Sequence, residues 1–185
     1  MISLKKTGSI FIMLCGMAPL FLKAQNYAGK ALKISFFSST PIEDIKAASN
    51  KGSGVLVASG GKFAFQVPVK SFEFDKGLMQ EHFNENYMES DKYPQARFTG
   101  SFNKPVDLSK DGEYHVTANG TLLIHGIGKQ RSIPGTLTVK NGVVTLNANF
   151  DVACADHQIK IPTLIITKIA EVIQVHVNGT LSPVK

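Results

Sequence analysis

The sequence predicts an all-β domain in which about eight antiparallel strands close into a barrel. Apolar residues alternate with polar ones along most of the chain, as in Phe63, Phe65 and Val67, and again from Tyr114 to Ile124. Such alternation is typical of strands that bury one face only. An eight-stranded barrel leaves an interior wide enough for one small or slender ligand.

The alternating segments divide the chain into eight predicted strands. They cover residues 28–37, 53–58, 62–74, 96–106, 113–124, 130–139, 143–152 and 172–182. The alternation continues through Asn119-Gly120 and Asn178-Gly179, so these glycines are predicted to kink long strands rather than to form turns. Gly60-Gly61 is predicted to close a hairpin, in which Val55 and Val57 would point outward.

A second hairpin is predicted at Asn141-Gly142, a dipeptide typical of two-residue turns. A turn there pairs residues that share one apolar or glycine-bearing face. The predicted pairs are Val139 with Val144, Leu137 with Leu146, Gly135 with Ala148, and Ile133 with Phe150. The turn chemistry and the hydrophobic register therefore agree.

Two short helices are predicted between the strands. The first begins at Thr40-Pro41-Ile42-Glu43, which has the spacing of a capping box and a proline at the first helical position. The second lies between Gly77 and Phe98, where apolar residues recur with helical spacing before Pro94. It would pack beside the sheet, across a mouth or flank of the barrel.

An outer-membrane barrel is the main architectural alternative. That fold carries an outward apolar band with aromatic girdles, whereas this chain has no Trp and only four Tyr. The chain also ends in Pro183-Val184-Lys185 rather than on an aromatic strand terminus. The pattern therefore favours a barrel with an apolar interior.

The first 24 residues have the order of a secretory signal. Lys5 and Lys6 precede an apolar run from Ile10 to Leu22, and Ala24 offers a small residue for cleavage. We expect a signal peptide at residues 1–24 and a single mature domain at 25–185, in the periplasm or outside the cell. A signal anchor is the alternative. Cleavage removes three lysines, which lowers the formal charge from +6 to +3.

Catalytic motifs are nearly absent from the sequence. It has no Gly-x-Ser-x-Gly, His-Glu-x-x-His or Cys-x-x-Cys, and no histidine pair has metal-ligand spacing. The nearest reactive cluster is Asp151, Cys154, Asp156 and His157. A continuing strand would place Cys154 and His157 on opposite faces, so we expect a strand end with a buried thiol rather than a nucleophile. Neither a cofactor nor a metal is expected.

Two motifs resemble those of the YceI-like family of exported, lipocalin-like barrels that bind polyisoprenoid lipids. One comprises His82-Phe83, Tyr87-Met88-Glu89 and Tyr93-Pro94 with Phe98, and the other is Leu123-Ile124-His125-Gly126-Ile127-Gly128-Lys129. The resemblance covers nearly the whole mature chain. The family's Gly-x-Phe-x-x-Phe-x-Gly approach is missing, and FFSSTPIEDIKA (residues 36–47) stands in its place.

The resemblance implies noncatalytic binding of a polyisoprenoid or another long-chain lipid within an eight-stranded antiparallel lipocalin-like barrel. Inward apolar side chains, with His82 from the helix, would contact the ligand. The predicted ligand-binding residues are Phe63, Phe65, Val67, His82, Phe98, Phe102, Leu122, Ile124, Leu137, Leu146 and Phe150. The same apolar residues could instead fill the core of a structural or partner-binding barrel. A small hydrolase that uses His82, or Asp156 with His157, is a third hypothesis.

The charge and hydropathy of the chain indicate which other partners to expect. No basic run interleaved with aromatic residues remains in the mature chain, so we expect no nucleic-acid binding. Residues 162–173 are apolar but too short to span a bilayer, and a buried connection or a strand is favoured over a membrane-active helix. No stable membrane span is expected after cleavage, and a homodimer is left open.

Overall fold

The computed structural model describes residues 25–162 and 169–184. The predicted signal peptide and the middle of the apolar run 162–173 lie outside these residues. Within them, strands dominate and one α-helix occurs. The strands are β1 (Asn26–Ser39), β2 (Asp44–Val57), β3 (Lys62–Pro68), β4 (Glu73–Phe74), β5 (Gln95–Phe102), β6 (Gly112–Ile124), β7 (Ile127–Lys140), β8 (Val143–Ala153) and β9 (Val172–Val184), and the helix is α1 (Gly77–His82).

Eight of the strands form a closed antiparallel barrel, which confirms the predicted fold class. They follow the order β1, β9, β8, β7, β6, β5, β3 and β2, and β2 pairs again with β1 to close the ring. The two-residue strand β4 adds to β2 beside β3. The predicted strand 62–74 is therefore two strands, separated by a 3-10 turn at Val69–Ser71.

The hairpin at Asn141-Gly142 has the predicted register. Val139 pairs with Val144, Leu137 with Leu146, and Gly135 with Ala148. Both turn residues have positive φ, 51° at Asn141 and 75° at Gly142, as a type I′ turn requires. The ladder between β7 and β8 ends at Gly135 and Ala148, so the predicted pairing of Ile133 with Phe150 lies beyond it.

The two predicted mid-strand glycines are also confirmed. Gly120 lies inside β6 and pairs with Gly100 of β5, and a Cβ atom on Gly120 would lie 2.2 Å from the Thr99 carbonyl oxygen. Gly179 lies inside β9. The loop at Gly60-Gly61 connects β2 to β3 as predicted, and Val55 points outward with 47% of its surface exposed.

The predicted helix at Thr40 is wrong. Residues 40–43 form a turn between β1 and β2, in which the Thr40 hydroxyl accepts hydrogen bonds from the amides of Ile42 and Glu43 at 3.3 and 3.1 Å. A threonine side chain can satisfy the same amides in a turn as at a helix start, so the capping signal does not distinguish the two. The residues that follow pair with β1 instead of continuing a helix.

The second predicted helix is confirmed in a shorter form. After α1 the chain continues as a π-helical turn, Phe83–Tyr87. This segment connects β4 to β5 at the end of the barrel where β1 and β3 finish. We call this the mouth end.

The opposite end of the barrel is filled. A cluster of buried side chains packs there, and the Tyr27 hydroxyl donates a hydrogen bond of 3.1 Å to the Leu108 carbonyl. We call the part of this cluster that lies beyond the cavity the packed end. It contains Tyr27, Leu56, Phe63, Leu108, Val139, Val144 and Leu181.

Candidate ligand-binding cavity

A cavity of about 610 Å³ occupies the mouth half of the barrel. Every strand of the barrel contributes to its wall, and α1 with its π-helical turn contributes a further side. The lining side chains are overwhelmingly apolar. Among those from strands are Ile34, Ile45, Phe65, Phe98, Leu122, Ile133, Leu146 and Val175. Such a space suits an apolar ligand far better than a polar one.

The structure brings ten of the eleven predicted ligand-binding residues to this cavity. They are Phe65, Val67, His82, Phe98, Phe102, Leu122, Ile124, Leu137, Leu146 and Phe150. Phe63 is the exception, because it is 4% exposed and belongs to the packed end. Contact of any of these residues with a ligand remains a prediction.

Four aromatic rings that sequence reasoning did not select line the cavity near the mouth. Phe36 lies 5.3 Å from Phe72 and 5.4 Å from Phe83, measured between ring centroids, and Phe74 lies 5.1 Å from Phe83. They come from β1, β4 and the segments beside them. Phe72 and Phe74 have the opposite parity to Phe63, Phe65 and Val67, because the 3-10 turn at Val69–Ser71 interrupts the alternation between them. We call these four rings the mouth cluster.

A second group of rings lies deeper in the barrel. The Phe63 ring lies 5.5 Å from Phe65, 5.0 Å from Phe98 and 5.2 Å from Phe102. The last three face the cavity, whereas Phe63 lies behind them. Phe63 therefore joins the cavity wall to the packed end.

The entrance lies between α1 and the turn that joins β1 to β2. Lys76 Nζ and Glu43 Oε1 form an ion pair of 3.2 Å across it, and both residues line the cavity. Leu78 lies on the same rim with 62% of its surface exposed. His82 is exposed, and burial raises the pKa of Tyr87. Lys76, Glu43 and His82 are thus polar residues that line the cavity at this rim.

The two family-like motifs meet in one cluster at the mouth end. His125 and Gly126 form the two-residue turn between β6 and β7, which sequence reasoning missed. His125 Nε2 lies 2.8 Å from Glu89 Oε2, and its Nδ1 lies 3.1 Å from the His157 carbonyl oxygen. The ring of His125 is thus held between Glu89 and the turn that contains His157.

Tyr93 completes this cluster. Its ring meets the His125 ring edge-on at 4.7 Å. A Cβ atom on Gly126 would lie 2.5 Å from the Tyr93 ring, and Gly126 has φ of +74°. Glycine at 126 therefore allows the turn to approach the tyrosine. The motif residues connect the exit of the helical segment to the β6–β7 hairpin.

The candidate reactive cluster lies at the end of β8, where a strand end with a buried thiol was predicted. Cys154–His157 form a 3-10 turn after β8. Cys154 lines the cavity, and burial raises the pKa of its thiol. Asp156 forms an ion pair of 3.5 Å with Arg131.

His157 is fully buried in the same turn. Its Nδ1 lies 3.0 Å from the Ile127 carbonyl oxygen, while Nε2 has no hydrogen-bond partner among the described residues. Burial lowers the pKa of His157, an effect that the neighbouring Arg131 reinforces and Asp156 opposes. Its hydrogen bond ties the turn after β8 to the start of β7, which is a structural role.

A second depression of about 670 Å³ lies on the outer surface beside Phe37. It is broader and more polar, with Lys33, Lys46, Asp151 and His176 among its lining residues. Lys46 Nζ lies 5.3 Å from the centre of the Phe37 ring and occupies part of this surface. The depression is less suited to an apolar ligand than the interior cavity.

Comparison with known proteins identifies the family. The model of the YceI-like domain matches residues 28–181. The chain belongs to the YceI-like family. The match includes part or all of each of the eight barrel strands and the whole helical segment. No curated protein matches the sequence significantly.

Several solved structures share this YceI-like fold. A polyisoprenoid binding domain from Saccharophagus degradans, implicated in plant cell wall breakdown, is 16% identical with a TM-score of 0.74, over 88% of this chain and all of the other. BcnA of Burkholderia cenocepacia is 19% identical with a TM-score of 0.67, over 80% and 95%. The YceI protein of Campylobacter jejuni is 16% identical with a TM-score of 0.58, over 75% and 84%. At these identities the likeness establishes the fold.

Over residues 25–162 and 169–184, no helix has the length and apolar character to cross a membrane. In the same ranges, no three His, Cys, Asp or Glu side chains are arranged to hold a metal ion.

Proposed function

We propose that this protein binds a long apolar lipid of the polyisoprenoid type within its barrel, without catalysis, in the cell envelope. The observation that carries the proposal is the cavity, whose walls are apolar from the mouth cluster down to Leu137 and Leu146. Transfer of a hydrocarbon chain from water into such a space is favourable by about 0.8 kcal/mol for each buried CH₂ group. The name of the Saccharophagus degradans domain supports a polyisoprenoid in particular.

The arrangement of polar groups supports a ligand with one polar end. Lys76, Glu43 and His82 lie at the entrance, whereas the deeper wall offers few hydrogen-bond partners. A chain that enters tail first keeps its head group in water beside these residues. Desolvation of a polar head group, which costs several kcal/mol without new hydrogen bonds, is thereby avoided.

The described residues also support a noncatalytic role over a hydrolase. His157 is hydrogen-bonded to the backbone, and Asp156 is paired with Arg131. The Cys154 thiol faces the cavity, but burial raises its pKa and so disfavours the nucleophilic thiolate. Of the groups in the hydrolase hypothesis, His82 lines the cavity, whereas Asp156 and His157 do not.

Delivery to the envelope rests on residues 1–24, for which we propose cleavage after Ala24. N-terminal sequencing of the protein from an envelope fraction should then begin at Gln25. A membrane-bound product that retains residues 1–24 would support the signal anchor instead.

Direct binding tests the proposal. Ala148 lies on β8 and lines the cavity, whereas the next residue, Asn149, is exposed. Ala148→Glu places a charge in the path of the lipid chain, and we expect it to abolish binding of geranylgeraniol to delipidated protein in native mass spectrometry. Asn149→Glu, with the same change of charge on the outer surface, should bind like the wild type.

Equal binding by both variants would refute an interior site. Far-ultraviolet circular dichroism and thermal melting would show that Ala148→Glu is folded. A wild type that binds no prenyl alcohol would instead favour a structural or partner-binding barrel.

A further inference from the structure

We propose that the packed end sets the length of the lipid chain that this barrel accepts. The proposal rests on the proposed function and assigns a specificity role to particular residues. The cavity does not run through the barrel. Its lining residues nearest the packed end along their strands include Leu32, Phe102, Val116, Leu137 and Leu146, which we call the floor.

The floor contacts the closely packed side chains of the packed end. Leu32, Leu137 and Leu146 belong to the same buried cluster as Val139 and Val144, which are 2% and 0% exposed. The partly buried Phe102 packs on that cluster through Phe63. Beyond the floor, Tyr27 and its hydrogen bond to Leu108 close the far end. A chain that enters at the mouth therefore stops at the floor.

Close packing against glycine backbone fixes the floor in position. A Cβ atom on Gly179 would lie 2.4 Å from a Leu32 methyl group, so that side chain lies directly against β9. Phe65, which contacts the floor through Phe63, lies against Gly54 in the same way. A Cβ atom on Gly54 would lie 2.1 Å from the Phe65 ring. Rings and branched side chains held this closely have little freedom to move aside for a longer ligand.

The volume above the floor corresponds to a limited number of carbon atoms. A water molecule in the liquid occupies about 30 Å³, and a carbon atom of a lipid chain is of similar size. A cavity of about 610 Å³ therefore accommodates about 20 carbon atoms, or about four isoprene units. Each unit up to that length gains contact with the wall. Further units stay outside the mouth and gain little, so affinity should rise with chain length and then level off.

Two substitutions, one in the floor and one beside it, should move this limit in opposite directions, and we call them the floor variants. Phe102→Ala removes a ring of six carbons, slightly more than one isoprene unit of five. Ala118 pairs with Phe102 across β5 and β6 and lines the cavity, so Ala118→Leu fills the space beside that ring. The first variant should accept a longer chain than the wild type, and the second should accept a shorter one.

Phe83→Ala is the matched control. It also removes one phenyl ring from the cavity wall, but from the mouth cluster rather than from the floor. It should weaken the binding of all chain lengths without moving the length at which affinity levels off.

The experiment is competition for delipidated protein among all-trans prenyl alcohols from farnesol to solanesol, read by native mass spectrometry. For the wild type we expect the affinity for a prenyl alcohol to rise about tenfold or more with each added isoprene unit at first. For longer alcohols it should change by less than about threefold per unit. The plateau should begin about one unit later in Phe102→Ala and earlier in Ala118→Leu. Thermal melting would confirm that each variant is folded.

Two results would overturn the proposal and are distinguishable. If the wild type binds these alcohols but its preference rises steadily to solanesol, or if both floor variants level off where the wild type does, the floor does not select length, and lipid binding still stands. If the wild type binds none of them, the proposed function fails and the length limit fails with it.

Discussion

His157 illustrates how a single buried residue can be structural in a place that looks reactive. It follows Cys154 and Asp156 in sequence, which suggests an active site, yet the turn directs its Nδ1 to the Ile127 carbonyl. His125 has a comparable structural role nearby, because its ring nitrogens contact the His157 carbonyl oxygen and Glu89. His125 and His157 therefore hold segments of the mouth end together.

The burial of His157 predicts a pH dependence of stability. Its pKa in the folded protein is lowered below the ordinary value of 6.5 by burial. As the pH falls, His157 binds a proton in the unfolded chain before it does so in the folded protein. The free energy of unfolding therefore decreases as the pH falls below about 6.5, and it stops decreasing once the pH is below the folded-state pKa of His157. Urea unfolding between about pH 7.5 and 5 should show this decrease.

His157→Gln should reduce the slope of stability against pH, whatever its effect on stability itself. His115→Gln is the control, since the His115 side chain is 79% exposed. An unchanged slope in His157→Gln would show that other groups cause the pH dependence.

At the scale of elements, the turns decide where strands begin and end. The hairpin at Asn141-Gly142 combines positive φ at both turn residues with an apolar register. Nothing lies within 4 Å of a Cβ atom built on Gly142, so crowding is not the constraint there. Its φ of 75° is unfavourable for a β-branched residue.

Gly142→Val should therefore destabilise the protein by about 1 kcal/mol or more through backbone strain alone. Thermal or urea unfolding measures this directly. Gly142→Asn is the matched variant, because asparagine tolerates left-handed backbone, and it should cost less. Equal losses in the two variants would contradict a strain mechanism.

The turns also show what sequence could and could not predict. Asn141-Gly142 was predictable because turn chemistry and register agreed. His125-Gly126 was missed, because histidine is an uncommon first residue for such a turn and its geometry depends on Glu89 and Tyr93, which are distant in sequence. Thr40 was assigned to a helix because its side-chain hydrogen bonds are common to turns and helix starts.

The candidate site was predictable to the extent that it depends on alternation. Period two identifies which side chains point inward, and ten of the eleven selected residues reach the cavity. It does not report depth along the barrel axis, so Phe63 in the packed end looked the same as Phe98 in the cavity wall. Depth depends on how the loop with Leu108 closes the far end, which is a tertiary property.

For the whole molecule, the central feature is a barrel filled at one end and hollow at the other. The two halves should respond differently to the loss of a phenyl ring. Phe63→Ala in the packed end should cost the roughly 3 to 5 kcal/mol expected for Phe→Ala in a dry core. Phe98→Ala in the cavity wall should cost less, because one side of its ring already faces empty space.

Urea unfolding of delipidated protein compares the two variants, whose rings lie 5.0 Å apart. A loss for Phe98→Ala as large as that for Phe63→Ala would mean that the cavity is collapsed in solution.

The most direct measurement is the lipid carried by the protein purified from its own cell envelope, quantified by native mass spectrometry and solvent extraction. We expect the wild type to carry one prenyl lipid per chain, and folded Phe98→Ala to carry substantially less because it loses contacts in the cavity wall. Wild-type protein without lipid, together with a large loss of stability in Phe98→Ala, would contradict lipid binding and favour a structural barrel.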